Sequence, residues 1–173
     1  NNPPLTHINN VDIAINLKHQ TLIPSFTDSH SHFYETGENE LNFKINSNDS
    51  IKQLLTNIKI WYQKHPTIPY IYGRGWNHHS WESDRYPTHD DLDSLNIPVP
   101  IYLYRTDGHA LWLNSLALKE NKISKTSETP AGGIILRDSK KNPTGILIDK
   151  AIRLVKLDIK DNKTNALLKS QEL

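Results

Sequence analysis

The chain has 173 residues, with 20 Lys+Arg against 19 Asp+Glu and a formal charge of +1. This balance gives no basic excess to grip a phosphate backbone, and no apolar run approaches the roughly 20 residues that cross a bilayer, so neither nucleic acid nor membrane is an expected partner. Cysteine is absent, which excludes disulfides and thiolate ligands and leaves a metal site only histidine, carboxylate or a modified lysine. No leader segment is read, and a cytoplasmic location is expected. Methionine is also absent, so residue 1 is not expected to be a translation start and the chain is expected to be part of a longer protein.

Residues 1 to 10 are polar and carry Pro3-Pro4, which predicts a loop. Val11, Ile13, Ile15 and Leu17 then alternate with polar or small residues, the period of a half-buried strand. A turn over Lys18-His19-Gln20 leads to Leu22-Ile23-Pro24-Ser25-Phe26-Thr27-Asp28-Ser29-His30-Ser31-His32-Phe33. This stretch predicts a short buried strand ending in Asp-x-His-x-His. Side chains two apart on a strand share a face, so Asp28, His30 and His32 project together. His30 and His32 can grip one metal ion from the same side, and a catalytic zinc keeps a position open for water. The alternative is two polar histidines at a strand end that bind nothing.

The stretch Tyr34 to Asn48 is polar and reads as an irregular loop, its Glu35, Glu38 and Glu40 as solvated charges or as carboxylates facing a substrate. Asn48-Asp49-Ser50 offers helix N-cap side chains. Ile51, Leu54, Leu55, Ile58, Trp61 and Tyr62 follow at helical spacing, and His65-Pro66 ends the helix. Ile68 to Asn77 reads as a second strand, with Gly73 and Gly75 permitting a bulge or close backbone approach. His78 and His79 are adjacent and are read as exposed loop residues. Thr88, with Asp91 three residues on, forms a capping box for a short acidic helix. Pro98 to Arg105 is a third strand, running into Thr106-Asp107-Gly108-His109 and then Asn114, which can cap a helix to about Glu120. Asp107 and His109 sit where that strand meets its loop. Either His109 reaches a site mouth and holds or polarises a substrate carbonyl, or Asp107 caps the turn and His109 bonds neighbouring backbone. Residues 130 to 138 and 144 to 148 predict a β-hairpin turning at Ser139 to Pro143. A helical pattern follows from Asp149, and a short amphipathic piece covers Ala166, Leu167 and Leu168.

Several of these stretches resemble one family. The run from Ile23 to Phe33 is similar to the first barrel strand of the metal-dependent amidohydrolase superfamily, with Ser25 where glycine is usual. Gly75-Trp76-Asn77, Arg105 to Leu118, and Gly132 to Leu147 resemble the YtcJ-like, or amidohydrolase family 3, branch in its order, with Lys141 where its turn has glycine. The resemblance implies an α/β fold, an incomplete (β/α)8 TIM barrel carrying a remnant of a β-sandwich and a β-hairpin. A full barrel takes about 250 residues, more than are present. Residues 1 to 20 would be the end of the sandwich, and residues 21 to 173 the N-terminal part of the barrel with its insertion. The implied activity is hydrolysis of non-peptide C–N bonds, in amides or cyclic amides, by metal-activated water. The implied cofactor is zinc or another divalent metal, one or two ions, with His30 and His32 as ligands. Later strands of the family supply the remaining ligands and the general acid/base aspartate. Trp76, Asp107 and His109 are the candidate substrate-binding residues, toward a small-molecule amide-type substrate. The piece alone is expected to be inactive, to hold metal weakly, and to associate, as a homo-oligomer or otherwise, through exposed barrel edges. The alternative is a non-catalytic binding or interaction module derived from the barrel's first part.

Overall fold

Ser50 and Gln53 start the longest helix. The Ser50 Oγ accepts from the Gln53 backbone N–H at 3.3 Å, and Gln53 Oε1 accepts from the Ser50 N–H at 2.8 Å. Two otherwise orphaned donors are thereby satisfied. The helix runs Ile51–Lys64 and buries Leu54 and Ile58, stopping before Pro66 as its sequence predicts. The computed structural model describes residues 15, 18–24, 33–83, 85–156 and 163–171. The predicted strand over 11–17 and the Asp28-x-His30-x-His32 strand lie outside the described residues, apart from Ile15.

The chain divides into two compact units, Asn1–Ser31 and His32–Leu173. In the first, Lys18 and His19 both take positive φ, 47° and 70°, which makes the predicted turn. The second is built in the order α1 (Phe33–Leu41), β1 (Phe43–Lys44), α2 (Ile51–Lys64), β2 (Ile71–Trp76), α3 (His89–Asp93), β3 (Ile101–Arg105), β4 (Ala110–Leu113), α4 (Ser115–Glu120), β5 (Gly133–Arg137), β6 (Pro143–Asp149) and α5 (Lys163–Gln171), with short 3₁₀ turns at His78–Ser80 and Lys150–Leu154. Among the described residues, six strands form one sheet in the order β1-β2-β3-β4-β6-β5. β1, β2 and β3 are parallel, whereas β3–β4, β4–β6 and β6–β5 are antiparallel. The fold is therefore a mixed α/β sheet.

Two cores form. One holds Leu54, Ile58, Ile71, Trp76, Trp81, Leu92, Ile101, Leu103, Ala110, Trp112 and Ile146. The other joins Tyr102, Leu111, Leu113, Ala117, Leu118, Ile135 and Leu147. Residues 111, 112 and 113 fall alternately into the two cores, as side chains alternate along a strand. β4 is thus apolar on both faces and shows no alternation of polarity, so its sequence does not read as a strand. α1 was expected as loop. It is held from outside its own sequence, since Ser170 of α5 donates to the Phe33 carbonyl. No helix among the described residues is long and apolar enough to cross a membrane.

Candidate functional site

The parallel strands β1, β2 and β3 end together at Lys44, Trp76 and Arg105. β6 is antiparallel to β4 and so runs with β3, ending at Asp149 on the same side. Sheets containing parallel strands carry their sites at the carboxyl ends. The 106–109 loop lies there. It is held by backbone first: Thr106 N–H donates to Trp76 O at 3.0 Å, and Gly108 N–H to Arg105 O at 2.8 Å. Arg105 then grips Asp107 with two parallel bonds, Nε to Oδ1 at 2.9 Å and Nη2 to Oδ2 at 2.8 Å, and donates from Nη1 to the Tyr86 hydroxyl at 3.0 Å. Such a fork fixes orientation as well as charge. The Arg105 bond holds the Asp107 carboxyl below the ordinary carboxylate range, partial burial opposes this, and the His109 N–H adds to the lowering at 2.9 Å.

Asp107 thus caps the turn, and His109 follows it with its own partner. Its Nδ1 lies 2.7 Å from Asp149 Oδ1. The two side chains are 67% and 50% exposed, so the pair sits open to solvent. Arg74 completes the edge of the site. Its guanidinium donates from Nε and Nη2 to Thr106 O at 3.3 and 3.1 Å. Beside it is a shallow recess of about 210 Å³ lined by Asn39, Glu40, Phe43, Lys44, Ile45 and Arg74.

The structure brings Asp107 and His109 together and places Trp76 elsewhere. Trp76 is 1% exposed, its Nε1–H donates to Leu103 O at 2.7 Å, and its ring packs 6.1 Å from both Trp81 and Trp112. No face of the ring is open. His78, expected in an exposed loop, is 3% exposed. The 3₁₀ turn after Asn77 turns it inward, where it stacks on Tyr86 at 4.2 Å. His30 and His32 lie outside the described residues. Sequence reasoning missed Arg74, Arg105 and Asp149. A single charged residue closing an apolar run, as in Ile146-Leu147-Ile148-Asp149, was the available signal for Asp149.

One described cluster has a metal-like donor set. Ligand atoms of His89, Asp90 and Asp93 lie within 4.8 Å of one another. Those atoms already serve one another and a neighbouring helix. His89 Nδ1 faces Asp90 Oδ1 at 3.1 Å and Asp93 Oδ2 at 3.2 Å, and Asp93 accepts from the Ser115 N–H at 3.0 Å and hydroxyl at 2.5 Å. Ser115 follows the end of β4, which lies beside the start of β3. The cluster therefore sits at the opposite end of the sheet from His109 and caps α4.

Known proteins agree with this architecture. The chain is similar to the YtcJ protein of Bacillus subtilis (strain 168), whose name places it among the amidohydrolases, with 36% identity over 82% of this chain and 27% of that protein. It is 26% identical to the N-substituted formamide deformylase of Arthrobacter pascens over 82% of this chain and 27% of the relative. Its fold resembles the crystal structure of an uncharacterized metal-dependent hydrolase from Pyrococcus furiosus, with a TM-score of 0.56 and 23% identity over 86% of this chain and 29% of that one. The chain thus spans less than a third of the length of these proteins. The sequence profile described as "Amidohydrolase family" matches residues 14–171, and the chain belongs to that family, in its family 3 branch.

Proposed function

We propose that this chain contributes to a metal-dependent hydrolase of non-peptide C–N bonds, acting on a small-molecule amide or cyclic amide. The observation that carries the reading is the braced Arg105–Asp107–His109 loop at the carboxyl ends of parallel strands, in a chain of the amidohydrolase family. The formamide named by the Arthrobacter pascens relative belongs to the same substrate class.

His30 and His32 would hold the divalent ion, zinc by preference, since two imidazoles two residues apart in sequence suit it. When bound, that ion supplies a Lewis acid and activates water. Stable zinc sites use at least three protein ligands, so the reading requires at least one ligand beyond these two. Arg105 fixes Asp107, Asp107 fixes the His109 backbone, and His109 meets the amide group of the substrate. Arg74 supports the loop through Thr106.

The test is turnover of an amide panel by the complete protein with zinc supplied. N-substituted formamides, open-chain amides and cyclic imides are the substrates, and amine or acid release is the readout. Hydrolysis of at least one class, lowered tenfold or more by His109→Ala, is expected. No turnover of any amide would overturn the reading.

A further inference from the structure

Register sets His109 opposite Asp149. β4 and β6 pair Ala110 with Ile148. The ladder continues one step, with the Asp149 N–H donating to His109 O at 3.0 Å. Directly opposed side chains on antiparallel strands are close enough to interact, and here Nδ1 meets Oδ1 at 2.7 Å. A carboxylate can only accept, so the proton of this bond belongs to Nδ1. In the neutral ring the lone pair then sits on Nε2. Among the described residues no hydrogen bond engages Nε2, and the ring is two-thirds exposed.

The backbone adds a second observation. Asp149 adopts φ 49° and ψ −121°, a region where a Cβ is strained and glycine is at ease. The turn itself would be better served by glycine. The carboxylate's hydrogen bond among the described residues is the one to His109. A strained residue whose side chain is devoted to one ring points to a role for that ring.

We propose that Asp149 is a positioning residue that fixes His109 with its proton on Nδ1, so that Nε2 accepts a hydrogen bond from the N–H of a bound amide. His109 then reads the substrate's N–H and not its carbonyl, and the preferred substrate is a primary or secondary amide. The substrate half of this statement rests on the hydrolase reading, whereas the tautomer does not.

Two measurements test it on the complete protein. The first is ¹⁵N NMR of the histidine rings at alkaline pH, with the His109 signals assigned through His109→Gln. The wild type is expected to show the Nδ1–H tautomer. Asp149→Gly removes both the carboxylate and the strain, and is expected to return His109 to the Nε2–H tautomer that an unconstrained histidine side chain favours in water. An Nε2–H ring in the wild type, or no change in Asp149→Gly, would overturn the positioning role. The second compares kcat/KM for a secondary amide and its N-methylated form. The wild type is expected to favour the secondary amide by about tenfold or more, because an unpaired acceptor is left against the tertiary one. In Asp149→Gly that preference should collapse. A preference unchanged by the substitution would overturn the N–H reading while leaving the tautomer result standing, and absence of all turnover would fall on the hydrolase reading.

Discussion

Asn114 shows how much one buried amide can hold. It is 2% exposed, its Oδ1 accepts from the Ile101 N–H at 3.0 Å and the Ala117 N–H at 2.9 Å, and its Nδ2 donates to Val99 O at 3.0 Å. It therefore caps α4 and anchors the start of β3 together. Asn114→Ala should cost about 2–4 kcal/mol, combining a lost cap with a buried N–H left unpaired, as read from urea denaturation. At Asp149 the expectation has the opposite sign. Replacing it with glycine relieves an unfavourable backbone, and a gain of about 1 kcal/mol in unfolding free energy is expected even as the His109 contact is lost. Asp107 makes stability depend on acid. Its folded value is depressed, first by Arg105, so its contribution is complete above the unfolded aspartate value of about 3.9 and fades as pH falls through the folded one. Asp107→Asn should be less stable than wild type at pH 7 and should lose less between pH 5 and pH 2. Equal losses over that range would refute the assignment. The effect is modest, because the pair is partly exposed and salt-screened.

Among the elements, the β5–β6 hairpin is fixed by a close backbone approach at Gly133 and by Arg137. A Cβ on Gly133 would lie 2.2 Å from Ala151 N and 2.8 Å from Lys150 C, both backbone atoms that cannot yield. Gly133→Ala should therefore unseat the 149–151 turn, at about 3 kcal/mol or more, with the His109 tautomer lost as the turn moves. Thermal unfolding and the ring ¹⁵N signals read both effects. Arg137 donates to the carbonyls of Ser124, Lys125, Ser127 and Lys141 and so pins the loop before β5. Lys141 takes φ 67°, a conformation that a glycine would adopt freely. The hairpin, α2 and α4 were legible because caps, turn residues and periodicity acted locally. β4 and α1 were not. β4 is four residues buried on both faces and so carries no periodic signal, whereas α1 is mostly polar in sequence and has its partner far along the chain.

For the molecule as a whole, the candidate site was partly legible for the same reason. Asp107 and His109 stand at a strand's end, where sequence points to a loop, and their motif marked them. Asp149 is 40 residues later, and only the β4–β6 register brings it to His109. Trp76 was marked by a separate resembling stretch, Gly75-Trp76-Asn77, yet its ring is buried in the core and β2 carries a register irregularity between Arg74 and Trp76. A sequence motif thus records which residues recur together without separating those that touch substrate from those that support them. The proposed role of His30 and His32 is to hold the divalent ion of the hydrolase. It is tested most directly by amide turnover of the complete protein after metal removal by chelation, after zinc is restored, and in the His30→Ala/His32→Ala variant. Loss of turnover on chelation, recovery with zinc, and no recovery in the variant are expected. Full turnover in the metal-free protein or in the variant would contradict it.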